Sequence, residues 1–316
     1  MRTFHIHLLI LAALTLSACQ APQQSVRFLA TGDTPYSAGQ VSQYRALLAQ
    51  SAAESFDFLV HVGDIKGADE PCTDERFEVT RDIFAEQKIP VVYTPGDNEW
   101  TDCYVEAAGA RDPVERLAAL RRIFFEDESA LRLDELGVQR QSEVEEYSRY
   151  LENYTFHRGG VLFIVVHVAG TANGSLNADP RAQQEHRERI AANRAFLEDS
   201  FRLAASDNVA AVAIIIHANP DFEKRGSPGH HSFLNTLEAF LRDYSRPVVC
   251  IHGDSHRHRI DKPFLDPRTG KPFENFTRME VFGHPDVAGV VVEIDASATE
   301  VFSFEPYHLS EPVSAN

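Results

Sequence analysis

Four Gly-Asp pairs punctuate the 316-residue chain, at Gly32-Asp33, Gly63-Asp64, Gly96-Asp97 and Gly253-Asp254. With 17 glycines and 21 aspartates, chance supplies about one such pair. Each follows an apolar run (RFLATGD, FLVHVGD, VVYTPGD, VVCIHGD), and His217 (AIIIHANP) and His256 (GDSHRH) follow apolar runs in the same way. Glycine lets a chain turn sharply, and the aspartate after it projects a carboxylate beyond the end of the run. Four carboxylates and two imidazoles on one edge repel each other unless a cation balances them. The spacing therefore predicts a metal centre built from Asp33, Asp64, Asp97, His217, Asp254 and His256.

For six distant side chains to meet, the runs that precede them must be neighbouring strands. Seven β-branched runs read as buried strands: VRFLA, FDFLVHV, PVVYT, GVLFIVVHV, NVAAVAIIIH, RPVVCIH and VAGVVVEID. Helical patterns fall between them at 41–54, 73–87, 113–125, 181–204 and 233–244. In the longest, Ile190, Leu197, Phe201 and Ala204 form a core-facing stripe. The alternation predicts an α/β fold with a mainly parallel sheet under helices, the C-terminal runs closing a second sheet. In such sheets ligands bind beyond the carboxyl ends of the strands, where the Gly-Asp pairs lie. No linker or repeat divides the chain, so one domain is expected over 26–305, with a tail at 306–316. Residues 104–155 interrupt the alternation with a charge-dense, mostly helical insertion. It reads as a solvated addition, or as a lid over the strand ends.

The N-terminus is set apart from this pattern. Arg2 precedes an apolar run from Leu8 to Leu16, too short to span a bilayer permanently, so 1–18 reads as an export signal. Leu16-Ser17-Ala18-Cys19 resembles the lipobox of bacterial lipoproteins, which makes Cys19 the lipidated first mature residue and 19–25 a tether. The other reading is a plain signal peptide. The expected location is the cell envelope, on the periplasmic face of the outer membrane, with Cys19 the sole attachment to lipid. Export places Cys72, Cys103 and Cys250 in an oxidising compartment. Cys72 and Cys103 each follow a Gly-Asp pair closely, so they bridge if those pairs end adjacent strands. Cys250, within VVCI, reads as a buried thiol. Three free thiols is the alternative.

The net charge of −17 repels a phosphate backbone, which argues against a nucleic-acid partner. The sequence contains no P-loop, Gly-x-Gly-x-x-Gly or Gly-x-Ser-x-Gly motif.

The stretches GDTPY, HVGDIKG, PGDNEW, IIIHANP and HGDSH resemble, in order and spacing, the five motifs of the calcineurin-like metallophosphoesterases. GDNEW and HGDSH resemble a divergent bacterial branch of that family. The resemblance runs from about Phe28 to Asp261 and implies a two-sheet αββα sandwich holding two divalent ions, drawn from Mn, Mg, Ca, Fe or Zn. It places Asp33 on the first metal, Asp64 between both, Asp97 where the family has a metal-binding Asn, and His217 on the second metal. Asp254 stands for the first His of Gly-His-x-His, and His256 matches the second. The implied activity is hydrolysis of a phosphorylated small molecule by attack of a metal-bound hydroxide.

Three departures qualify that expectation. Pro35 replaces the His of Asp-x-His, and neighbouring Tyr36 is the residue available to replace the ligand or touch substrate. Asp97 and Asp254 substitute anions for neutral ligands, giving four carboxylates to balance two divalent ions, which favours oxygen-preferring metals. Asn98 takes the place of the catalytic His, and an amide orients a phosphoryl oxygen without serving as an acid. His252 is a candidate proton donor, or else a residue capping its strand, and Lys66 a candidate phosphate contact or a surface lysine. His61 and His167 read as core residues. The altered ligands also admit a second class: a metal-binding envelope lipoprotein that uses the fold as a binding module without turnover.

Overall fold

The computed structural model describes residues 25–207 and 209–310. The export segment and Cys19 lie outside the described residues. Fourteen strands occur among them: β1 (Val26–Thr31), β2 (Phe58–His61), β3 (Val91–Tyr93), β4 (Gln139–Arg140), β5 (Tyr154–Arg158), β6 (Val161–Val165), β7 (Ala211–Ile215), β8 (Val248–His252), β9 (Arg259–Asp261), β10 (Leu265–Asp266), β11 (Lys271–Pro272), β12 (Phe276–Glu280), β13 (Ala288–Ile294) and β14 (Phe302–His308). One sheet has the order β14-β13-β1-β2-β3 and a second the order β4-β5-β6-β7-β8-β12-β9. The centres are parallel, β1-β2-β3 in one sheet and β6-β7-β8-β12 in the other. Antiparallel strands close the edges.

All seven expected runs are strands. The C-terminal run is placed differently from expectation: β13 pairs antiparallel with β1, Val26 opposite Ile294, and so extends the first sheet rather than the second. β14 continues to His308, past the boundary expected at 305.

The period-2 alternation of the second sheet separates two cores. Phe163, Val165, Ala213, Ile215, Val249 and Ile251 face the first sheet, where they meet Phe28, Phe58 and Val60. Leu162, Ile164, Val212, Ile214 and Cys250 face the helices Pro180–Ser206 and His231–Asp243, through Phe196, Leu197, Phe233 and Leu237. Helices Ala38–Ser51 and Asp74–Ala85 cover the outer face of the first sheet with Tyr44, Leu47, Phe77 and Phe84. The layering is αββα. Thr73, Asp112 and Asp179 cap the helices that follow them, each side chain accepting from a first-turn N–H.

The insertion is not a solvated addition. Helix Pro113–Leu120 runs into a wider π-turn at Arg121–Glu126 and then short 3-10 turns, which bury Leu117, Leu120, Phe124 and Leu131 beside β3. Phe124 packs 4.7 Å from Tyr93, and the Val91 N–H donates to Leu131. Among the described residues, no group of 104–155 hydrogen-bonds the carboxylates of Asp33, Asp64, Asp97 or Asp254. Cys72 and Cys103 are disulfide-bonded, with Cα atoms 5.8 Å apart, and Cys250 is a buried free thiol.

Candidate metal centre

The carboxyl ends of β1, β2, β3, β7 and β8 converge on one rim, which gathers the Gly-Asp pairs from both sheets. The backbone there differs from a simple glycine turn. Four of the predicted site residues are themselves left-handed: Asp33 (φ 50°), Asp64 (φ 55°), Asp254 (φ 77°) and His256 (φ 56°). Aspartate tolerates this region better than most residues, and strain of this kind concentrates at functional sites. Gly32, Gly96 and Gly253 serve instead by lacking a Cβ. A methyl group there would collide with Val62, with the Asp64 carboxylate and with the Asp33 carboxylate, respectively.

Two clusters result. Ligand-type atoms of Asp33, Asp64 and His256 lie within 4.8 Å of one another, as do those of Asp64, Asp97 and His217, so Asp64 is common to both. Asp254 belongs to neither. Its main-chain N–H donates to both Asp33 oxygens at 3.0 and 3.1 Å, and its own carboxylate accepts from the Asn219 N–H at 2.8 Å. It nonetheless faces the second cluster, because Gly170 sits against both Asp97 Oδ1 and Asp254 Oδ1.

Hydrogen bonding tests whether these residues suit a cation. His217 is fully buried, and its Nδ1 donates to the Val62 carbonyl at 2.8 Å. Its Nε2 then lies 2.8 Å from Asp97 Oδ1 and 3.4 Å from Asp64 Oδ1. A neutral imidazole would aim a lone pair at two carboxylates, an arrangement that calls for a proton or a metal between them. Tyr36 repeats the problem. Its single hydroxyl proton faces Asp64 Oδ2 at 3.0 Å and His256 Nε2 at 3.1 Å.

The charges agree. Burial, reinforced by neighbouring carboxylates, pushes Asp33 up to about 8 and Asp254 up to about 7, and raises Asp64 well above its ordinary range. Burial opposes the charge on Asp97 too, but the His217 hydrogen bond and charge prevail and leave it below its usual value. Burial works against the imidazolium of His217, yet Asp64 and Asp97 lift it well above the ordinary histidine. Desolvated anions that hold protons in a cation's absence make a donor set suited to divalent metals, and all-oxygen-plus-imidazole chemistry fits such ions.

The remaining candidates divide. Tyr36 is at the centre: besides Asp64 and His256, its oxygen accepts from Asn98 Nδ2 at 3.3 Å. Asn98 also donates to the Lys66 carbonyl, and its main-chain N–H donates to Asp64 Oδ1 at 3.0 Å. Lys66 is neither a surface residue nor a phosphate contact. It is fully buried with Nζ donating to the Gly67 carbonyl, and burial lowers its affinity for a proton. His252 does not line the rim. It is fully buried against Phe222, with Nδ1 bonded to the Gly253 carbonyl, and burial drives it down to about 3. A side chain sealed from solvent cannot deliver a proton to a leaving group at the rim, so the role of proton donor falls away. His61 and His167 are core residues as expected, and His61 also braces two of the turns by bonding Thr34 and Gly63.

Sequence reasoning passed over several supporting residues. Glu99 is fully buried, and its Oε1 accepts from the N–H groups of Asp64 (3.1 Å) and Gly96 (2.6 Å) and from the Tyr93 hydroxyl. Its place in GDNEW was the available signal. Thr171 donates to Asp97, and buried His230 bonds the Ala169 carbonyl beside it. Nothing in their local sequence marks either one. A cleft of about 910 Å³ lies at the opposite pole, by His157, Arg246 and Val301. It holds no acidic cluster.

This sandwich, with its rim of acids and imidazoles, defines a metallophosphoesterase. The chain belongs to the calcineurin-like phosphoesterase family, whose model matches residues 26–258. Among solved structures it is similar to a dimetal phosphatase from Danio rerio, with a TM-score of 0.58, 12% identity and coverage of 90% of this chain and 97% of that one. It is also similar to PhoD, with a TM-score of 0.55, 14% identity and coverage of 87% and 65%. GAP50, the anchor in the inner membrane complex of Plasmodium, gives 0.50, 13%, and 91% and 90%. Identities this low make the likeness one of fold. No curated protein sequence matches significantly.

Proposed function

We propose that this protein hydrolyses a phosphorylated small molecule at the rim, with two divalent ions held by Asp33, Asp64 and His256 and by Asp64, Asp97 and His217. The observation that carries the reading is the sharing of Asp64 between two ligand clusters. When bound, such ions supply positive charge for phosphoryl oxygens and make water a nucleophile at neutral pH. The chain's own groups do the rest. Tyr36 and Asn98, bonded to each other, present a hydroxyl and an amide beside the clusters and orient the phosphoryl group. Asp254 holds Asp33 through its main chain and adds negative charge beside Asp97. Neither Asn98 nor buried His252 protonates a leaving group, so esters of good leaving groups are the preferred substrates.

The test is hydrolysis of p-nitrophenyl phosphate and glycerol phosphate in Mn²⁺, by the native chain and by Asp64→Asn. The expected result is turnover of the aryl ester, much slower turnover of the alkyl ester, and loss of both activity and bound metal in the variant. Turnover that survives Asp64→Asn, or a chelator, overturns the reading. Equal rates on the two esters overturn the leaving-group argument. The amide at position 98 also favours a second reading, a binding module without turnover, which predicts bound metal and no hydrolysis of either ester.

We also propose a lipid-anchored envelope protein. Ser25 enters β1 at the pole opposite the rim, so a chain held through Cys19 presents its site away from the membrane. Cys19→Ala should release it from the membrane fraction.

A further inference from the structure

Strand β12 runs parallel to β8 and so ends at the same rim. The loop that follows it is seated directly on the first cluster. The His284 N–H donates to the Asp33 carbonyl at 3.0 Å. Gly283 leaves no space for a side chain, since a Cβ would stand 2.7 Å from Asp33 Cβ and 3.0 Å from His256 Cδ2. The exposed His284 ring stacks on Tyr36, with centroids 5.3 Å apart and an interplanar angle of 18°, and lies 6.3 Å from the His256 ring.

The tautomer of His284 follows from its neighbours. Gln40 Oε1 accepts from the Tyr36 N–H at 2.7 Å, and Gln40 Nε2 donates to the Pro285 carbonyl at 3.2 Å. These two bonds exclude a flipped amide, which would set donor against donor and acceptor against acceptor. Gln40 Nε2 is therefore the donor to His284 Nδ1, at 2.9 Å. With Nδ1 accepting, the ring proton resides on Nε2, on the far edge of the ring from Gln40. Among the described residues no protein group takes up that N–H.

We propose that His284 is a substrate-contact residue whose Nε2–H donates to a non-bridging oxygen of a phosphoryl group bound at the rim. The proposal rests on the phosphoester reading above. In this role His284 binds and orients the phosphoryl group, with its Nδ1 held by Gln40. Gln40 is the positioning residue that sets the tautomer.

The experiment titrates inorganic phosphate into the Mn²⁺-loaded protein by calorimetry, comparing the native chain with His284→Ala and His284→Phe. Phenylalanine keeps a ring on Tyr36 and lacks the donor. Loss of one hydrogen bond to a charged group should weaken phosphate about tenfold in both variants, with Mn²⁺ affinity and melting temperature unchanged. Phosphate affinity preserved in both overturns the proposal. Affinity lost with alanine and kept with phenylalanine assigns the effect to stacking and overturns it too. Loss of Mn²⁺ binding alongside phosphate shows an action through the metal and counts against it as well, as does a native chain that fails to bind phosphate. Donor-dependent phosphate binding without hydrolysis of any ester retires the catalytic reading and leaves this one standing.

Discussion

The hydroxyl of Thr171 donates to Oδ2 of Asp97 across 2.5 Å, while the other oxygen of Asp97 faces His217. Thr171, Ala172 and Asn173 achieve this from three consecutive left-handed conformations, with φ of 42°, 53° and 57°. A β-branched residue pays for that backbone, and the surrounding contacts must hold it. Thr171 thus fixes which Asp97 oxygen is offered to the second cluster. Groups that orient metal ligands in this way typically govern affinity by ten- to a hundredfold. Thr171→Val should weaken Mn²⁺ binding about tenfold by calorimetry, and Thr171→Ser should retain most of it. A change under about twofold for valine would contradict this role.

The pH dependence of stability has a sign set by the raised carboxyls. Asp33 at about 8 and Asp254 at about 7 bind their protons more tightly in the folded chain than at the ordinary 3.8. Their stabilisation is complete below about pH 4 and disappears as pH climbs through 7 to 8. The metal-free protein should therefore melt at lower temperature as pH rises over that window. Metal replaces those protons, so the gain in melting temperature on adding Mn²⁺ should grow between pH 5 and 8, with protons released on binding. A gain that shrinks with rising pH is the contrary result in paired melts with Mn²⁺ and with a chelator.

The Cys72–Cys103 bridge closes a loop of 31 residues and ties the approach to helix Asp74–Ala85 to the GDNEW turn. Both sulfurs also contact the carbonyl of Asn98, at 3.5 and 3.6 Å. The double variant Cys72→Ser, Cys103→Ser should lose about 3–4 kcal/mol in urea unfolding, by the chain-entropy relation. It should also raise KM for p-nitrophenyl phosphate more than it lowers kcat, because Asn98 is held less firmly. Unchanged stability would place the bridge outside the folding energetics.

How far the fold was legible depended on whether a residue's partners were local. VRFLA, NVAAVAIIIH and VVCIH declared themselves as strands because buried parallel strands need unbroken β-branched runs. FTRME did not, since β12 carries Arg278 and Glu280 into full burial. Arg278 survives there through ion pairs with Asp261 and Glu223, which no periodicity reveals. The loop bearing His284 was missed with it. The insertion misled in the opposite direction: its charges are dense along the chain, but Leu117, Leu120 and Phe124 share one buried face.

The six rim residues were readable because strand ends in parallel sheets fall on one rim whatever the details between them. Type and order along the chain therefore determined the donor chemistry, oxygen and imidazole, and left the Cys72–Cys103 bridge conditional on their turns ending adjacent strands. Only the tertiary structure decided which donors share a cluster, that Asp254 stands outside both, and that Lys66 and His252 are sealed away. Those outcomes depend on distances of an ångström or two between side chains from different sheets, and on which atoms burial strips of water. A one-dimensional pattern carries neither quantity.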